Sequence, residues 1–230
     1  MKRNVLLVGA SSGIGLSLHQ QLKEEGLEVY TLGRQIVPGG NHQFFDASAS
    51  GELTIPDSWP AEFHTFIYCP GTIQLKPIQR LSRADFLQDF EVNVLGFVQV
   101  LQAILPRLKK AQGASVVVFS TVATQVGLGF HASVSASKGA LESLALSLAA
   151  ELAPAGIRVN VIAPSLTDTP LAGSLLNTPE KREAAGKRHP LGRFGSAEEI
   201  AAAARFLTSS EASWITGQVL TIDGGLSRLR

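Results

Sequence analysis

Three glycines, Gly9, Gly13 and Gly15, punctuate the run Gly9-Ala10-Ser11-Ser12-Gly13-Ile14-Gly15, which lies between the apolar Val5-Leu6-Leu7-Val8 and the helix-like Leu16-Ser17-Leu18-His19-Gln20-Gln21-Leu22. A strand that turns sharply into a helix leaves the first backbone N–H groups of that helix facing outward, and glycines let an anion approach them closely. The spacing predicts a dinucleotide site with Gly9, Ser11, Ser12, Gly13, Ile14 and Gly15 around a pyrophosphate. A loop that only joins strand to helix is the plainer alternative. At the end of the next predicted strand, Thr31-Leu32-Gly33-Arg34 has no acid to accept from ribose hydroxyls. Gly33 leaves room for a 2′-phosphate and Arg34 offers it a planar donor fork, so NADP(H) is expected ahead of NAD(H). Arg34 as a solvated loop residue is the competing reading.

These groups need a frame, and the chain supplies one. Short β-rich runs alternate with longer helical patterns, which marks a parallel sheet covered on both faces. The predicted strands are Asn4 to Val8, Glu28 to Leu32, His42 to Phe45, Thr65 to Tyr68, Ser115 to Ser120, Arg158 to Ala163 and Gln218 to Ile222. The expected fold is α/β: Rossmann-like, doubly wound, with a seven-stranded parallel sheet and helices on both faces, in a single domain over residues 1–230. Leu141, Leu144, Ala145, Leu148 and Leu152 recur at helical spacing, predicting a helix from about Ser135 to Glu151 that Pro154 and Gly156 end. Val94, Phe97, Val98, Leu101 and Leu105 predict another, ending before Pro106. Pro38-Gly39-Gly40 reads as a loop.

The 230 residues hold 20 Lys plus Arg against 19 Asp plus Glu, a formal charge of +1 that attracts neither nucleic acid nor an anionic membrane. At 45% hydrophobic and 17% charged, the chain is too apolar to be disordered. One cysteine, Cys69, excludes an internal disulfide and a CxxC metal site, so no metal is expected. Met1-Lys2-Arg3-Asn4 leads straight into a short apolar run, so no leader or membrane span is expected and a cytoplasmic location is.

The spacing of Gly9, Gly13 and Gly15 resembles the turn of the short-chain dehydrogenase/reductase family, with Val8 in place of its first Thr. The likeness continues through Ser135-Ala136-Ser137-Lys138, Gly156-Ile157-Arg158-Val159-Asn160, Pro164-Ser165-Leu166-Thr167-Asp168-Thr169 and Gly192-Arg193-Phe194-Gly195. It closes with Ile215-Thr216-Gly217-Gln218 and Asp223-Gly224-Gly225. The resemblance implies that Asp46 and Ala47 meet the adenine, although Asp46 could simply cap a turn. It also implies that Gly71 lies by the nicotinamide ribose, within Tyr68-Cys69-Pro70-Gly71 where relatives carry Asn-Asn-Ala-Gly. Cys69 reads as a small apolar residue beside the cofactor rather than a nucleophile. Pro164 and Thr169 would complete the cofactor contacts, and Ser165 replaces a usual glycine.

Relatives reduce carbonyls with a Tyr proton donor, a Lys four residues later, a hydroxyl at the end of the fifth strand and a helix Asn. Lys138 fits the Lys, with a second role on the nicotinamide ribose, and Thr121 and Asn93 fit the hydroxyl and the Asn. The Tyr position is Val134, which can neither donate nor accept. His131, three residues before it, is the best replacement donor by chemistry, since imidazole titrates near neutrality, with an exposed loop residue as the alternative. Tyr68, near the edge of the sheet, carries little weight. From Leu171 to Pro190 the family has a lid, which here carries Lys181, Arg182, Lys187 and Arg188, read as a solvated helix face, with contact to an anionic substrate as the alternative. The expected partners are a small-molecule substrate and further copies of the chain, as tetramer or dimer. Three functions follow: a carbonyl oxidoreductase with an atypical site, a nucleotide-binding pseudoenzyme, or a reductase of activated double bonds.

Overall fold

Val5, Leu6, Leu7 and Val8 are all buried, as a strand covered on both faces must be. In the computed structural model, which describes residues 3–39 and 41–229, they form β1 (Asn4–Val8) at the middle of a parallel sheet. Met1, Lys2 and Gly40, and with Gly40 the end of the predicted loop, lie outside the described residues. The sheet comprises β1, β2 (Glu28–Gly33), β3 (Asn41–Phe44), β4 (Thr65–Tyr68), β5 (Ser115–Phe119), β6 (Arg158–Pro164) and β9 (Val219–Ile222), ordered β3-β2-β1-β4-β5-β6-β9.

The period of two along β1 divides the core. Leu6 and Val8 join Phe97, Ile104 and Leu108 of α3 (Gly96–Lys110) and Leu141 and Ala145 of α4 (Ala132–Leu152) on one face. Val5 and Leu7 join Leu18 and Leu22 of α1 (Gly13–Glu24) and Ile200, Ala204 and Leu207 of α6 (Ala197–Thr208) on the other. The order reverses between β1 and β4, so a crevice opens at their carboxyl ends.

Several boundaries depart from the sequence pattern. The third strand sits one residue earlier than expected, and the fifth stops at Phe119: the Ser120 N–H still donates to the Ile162 carbonyl at 2.7 Å, but Thr121 then caps a tight helical turn that leads the chain away. Pro106 does not end its helix. Exposed Pro106 gives up one hydrogen bond, while Ile104 and Leu108 on either side stay in the core and carry α3 to Lys110. Asn93 lies in a π-helical turn, Glu91–Leu95, between α2 (Arg83–Phe90) and α3. Within the predicted lid a helix does form, α5 (Pro179–Lys187), capped by the Thr178 side chain with Pro179 at its start. A further two-stranded pair, β7 (Thr167–Asp168) with β8 (Gly195–Ser196), lies outside the expected seven.

Candidate functional site

The crevice widens into a cleft of about 1260 Å³, above the roughly 300–1,000 Å³ of ordinary small-molecule pockets. Its phosphate end is built by the first turn. Gly9 and Gly13 hold φ of +80° and +52°, in the left-handed region, and a Cβ on Gly15 would come within 2.1 Å of the Gly9 carbonyl oxygen. Ser12 stands at the N-cap of α1 without capping it, and no acid lies in the first turn. By contrast α2, α5 and α6 are capped by their own Ser82, Thr178 and Ser196. Ser11, Ser12, Gly13, Ile14 and Gly15 line the cleft with Gly9, so the open N-terminus of α1 presents donors and dipole to an anion there. These residues fit a dinucleotide pyrophosphate.

Beyond them the wall continues with Gly33, exposed Arg34, Asp46 and Ala47. Asp46 Oδ1 accepts from the Ser48 backbone N–H and hydroxyl, at 3.0 and 2.8 Å, so it does cap a turn while facing the cleft. These bonds, helped by Arg34, hold its carboxyl below the usual range. Cys69, Gly71, Pro164 and Thr169 line the same cleft. Burial pushes the Cys69 thiol far up, only partly offset by Lys138, so it stays protonated and is a poor nucleophile.

The other end of the cleft gathers Thr121, His131, Val134 and Lys138. One helical turn of α4 separates Val134 from Lys138, both buried. Lys138 Nζ donates to the Phe119 carbonyl at 2.7 Å. Burial pulls its pKa down to about 8, against the opposing influence of Cys69 and Asp89. Thr121 begins the turn after β5, and its Oγ1 accepts from the Ala123 N–H. His131 precedes α4 and donates from Nδ1 to the Gly129 carbonyl at 2.7 Å, leaving Nε2 open. Phe130, before it, holds φ +69° and is exposed on the same wall. Asn93 is not on the wall: it is fully buried behind it, donating to Ser137 and Thr72 at 2.9 and 3.2 Å. Thr72 in turn donates to buried Asp89. Asn93 Oδ1 and Asp89 Oδ2 have no partner among the described residues. A Cβ on Gly71 would stand 3.4 Å from Lys138 Nζ and 3.5 Å from Asn93 Oδ1, in ordinary contact with both, so Gly71 borders the Lys138 corner.

Tyr68 is no donor to this site, because its buried hydroxyl donates to the Val92 carbonyl at 2.6 Å. Of the lid cations, Arg182 pairs with Asp168 at 2.6 Å and covers the Phe194 ring, and Lys187 pairs with Glu183. Lys181 and exposed Arg188 reach the cleft wall. Sequence reasoning passed over Asp89, Glu142 and His189; His189 also lines the cleft, bonded to Ser165. Each is an isolated residue in its local sequence, and only the fold brings it to a partner.

The family model described as enoyl-(acyl carrier protein) reductase matches residues 54–227. A tropinone reductase homologue of Arabidopsis thaliana is 31% identical over 242 aligned residues, covering 97% of this chain and 92% of that protein. The cyclopentanol dehydrogenase of a Comamonas strain is also 31% identical, covering 96% and 95%. Among solved structures, ligand-free aldohexose dehydrogenase of Thermoplasma acidophilum superposes with a TM-score of 0.88 at 26% identity, covering 98% and 94%. The RhlG/NADP active-site complex of Pseudomonas aeruginosa gives 0.87 at 26%, covering 98% and 96%.

Proposed function

Because this chain belongs to the short-chain dehydrogenase/reductase family, we propose that it is an NADP(H)-dependent oxidoreductase interconverting a small carbonyl compound and its alcohol, with no tyrosine at its proton-donor position. One observation carries this reading. A single cleft joins the uncapped α1 N-terminus and Arg34 at one end to Lys138 and Thr121 at the other. When bound, NADP(H) supplies the hydride chemistry. Arg34 holds a 2′-phosphate, Gly9, Gly13 and Gly15 let the backbone reach the pyrophosphate, and Asp46 and Ala47 border the adenine. Thr121 orients the carbonyl oxygen by donating a hydrogen bond. Lys138 binds the nicotinamide ribose, and Asn93 holds its polar surroundings from behind. His131 lies at the rim, and Ile73, Leu128, Phe130 and Val134 give the substrate an apolar wall.

The test is direct titration with NADPH and NADH, followed by NADPH oxidation across a panel of carbonyl compounds. NADPH binds more tightly, and Arg34→Ala weakens it by roughly 10- to 100-fold while leaving NADH affinity unchanged, as loss of a charge-assisted pair implies. Tighter NADH binding by the native chain refutes the cofactor assignment.

Val134 favours a second reading, a nucleotide-binding pseudoenzyme: it puts a buried apolar side chain where the resemblance expects a phenol. A native protein that binds NADPH without turnover, and gains activity with Val134→Tyr, supports it. Oxidation with activated alkenes in place of carbonyls marks the double-bond reductase instead. A cytoplasmic setting and assembly with further copies accompany the proposal.

A further inference from the structure

The cleft holds an acid–base pair that the reading above leaves unused. His189 follows α5, is 4% exposed, and places Nδ1 2.8 Å from the Ala185 carbonyl oxygen. A carbonyl only accepts, so Nδ1 carries a proton and the neutral ring offers Nε2 as an acceptor. Ser165 Oγ lies 2.9 Å from Nε2 and donates to it. A hydroxyl on an imidazole that is itself oriented through its other nitrogen can pass a proton in either direction.

Position puts this pair at the reacting end. The register of β5 and β6 sets Phe119 beside Ile162, and the Ser120 N–H donates to the Ile162 carbonyl; Thr121 and Ser165 thus leave the carboxyl ends of two neighbouring strands. Neighbouring strands run about 5 Å apart, and Thr121 and Ser165 both line the cleft at those ends. Both residues of the pair line the cleft, and so does Val134, which has no proton to give. The charged groups around His189 are Arg188, its neighbour in the chain, and Asp223 after β9, which attracts an imidazolium there. Asp223 is fixed by the Gly225 and Ser227 N–H groups at 2.9 and 2.7 Å. From β6 the neighbour is Ser165 itself.

We propose that Ser165 and His189 are the proton-transfer pair of this site, taking the part that Val134 cannot. The proposal rests on the carbonyl chemistry above. In reduction the carbonyl carbon gains a hydride from the reduced nicotinamide, and the C=O π pair moves onto oxygen. That oxygen bonds the Ser165 proton, Ser165 Oγ takes the Nε2 proton of protonated His189, and the neutral ring regains a proton from solvent. Oxidation of the alcohol runs each transfer backwards.

The test compares NADPH-loaded native protein with Ser165→Ala, His189→Gln, their double variant, His131→Gln and Val134→Tyr/His189→Gln. On a carbonyl that the native enzyme reduces, Ser165→Ala and His189→Gln each lower kcat about 100-fold or more, with NADPH affinity unchanged. The double variant falls no further, and the limb of the pH profile belonging to the pair disappears. Val134→Tyr restores activity in the His189→Gln protein, because a phenol bypasses the pair, and a merely structural histidine would not be bypassed. Native kcat and pH profile in Ser165→Ala overturn the proposal, as does a loss confined to His131→Gln. A native protein inert on every carbonyl instead overturns the functional reading beneath it.

Discussion

Lys138 keeps an ammonium in a place nearly closed to water, and its pKa of about 8, against 10.5 for a free lysine, records that cost. The sign follows from proton binding. Between about 8 and 10.5 the unfolded chain holds a proton on Lys138 that the folded chain has lost, so this group's contribution to stability rises with pH across that window. Below it the penalty is in full force, on the order of 3 kcal/mol. Lys138→Met should therefore raise the Tm at about pH 7, less what the lost bond to the Phe119 carbonyl contributes, and the advantage should vanish by about pH 10. Thermal melts of both proteins across that range check this; a difference independent of pH contradicts it. At this scale the sequence was legible where chemistry sits in contiguous spacing. Gly9, Gly13 and Gly15 specify their turn within seven residues, and Lys138 is fixed by its neighbours. Ser165 and His189 are separated by 24 positions and joined by one hydrogen bond across α5, and Asp89 finds Thr72 only once α2 packs beside the loop after β4. No local pattern encodes such pairs. Asn93 was placed in a helical run, but the π turn that sets it, fully buried, behind the wall leaves no mark in hydrophobic spacing.

Pro106 shows what decides an element's end. Its ring removes one intrahelical bond and crowds the preceding turn, a local cost of about 3 kcal/mol in a helix interior, yet α3 continues because Ile104 and Leu108 are fully buried on either side. Tertiary packing outweighs the local signal. Pro106→Ala should restore the bond to the Gln102 carbonyl without touching the core, since residue 106 is exposed. The gain should be about 1–2 kcal/mol after allowing for the freer unfolded chain, read as a higher denaturant midpoint with unchanged m-value. A loss of stability would mean that the proline fits its place better than its geometry indicates. The strands were legible for the same reason in reverse. Val116, Val117 and Val118 are buried on both faces, so a continuous apolar run is required and reads plainly. Helix α5 was expected only as a solvated helix face without bounds, because it buries little, Ala185 and Gly186 among its nine residues. The Thr178-Pro179 start, a cap followed by a first-turn proline, was the available signal.

At the scale of the molecule, β9 is an edge strand whose outer side has no partner in the sheet. Val219 and Leu220 on it are more than a third exposed, Leu146 of α4 is 60% exposed, and Trp214 is 98% exposed. Leu146 meets the segment that leads into β9: a Cβ on Gly217, two residues before the strand, would stand 3.4 Å from Leu146 Cδ1, and Trp214 lies three residues earlier in the chain. An edge strand beside exposed apolar side chains and a bare tryptophan is a surface that needs covering, and no charged side chain on the strand itself guards it. A second copy of the chain can cover it by presenting the same patch about a twofold axis. Sedimentation of the native protein should therefore give a dimer or tetramer. The double change Leu146→Glu with Trp214→Glu should give a folded monomer of undiminished NADPH affinity, because the phosphate turn lies at the carboxyl ends of β1 and β2, away from β9. A native monomer at micromolar concentration refutes this. Loss of NADPH affinity on dissociation would instead tie the cleft to the assembly.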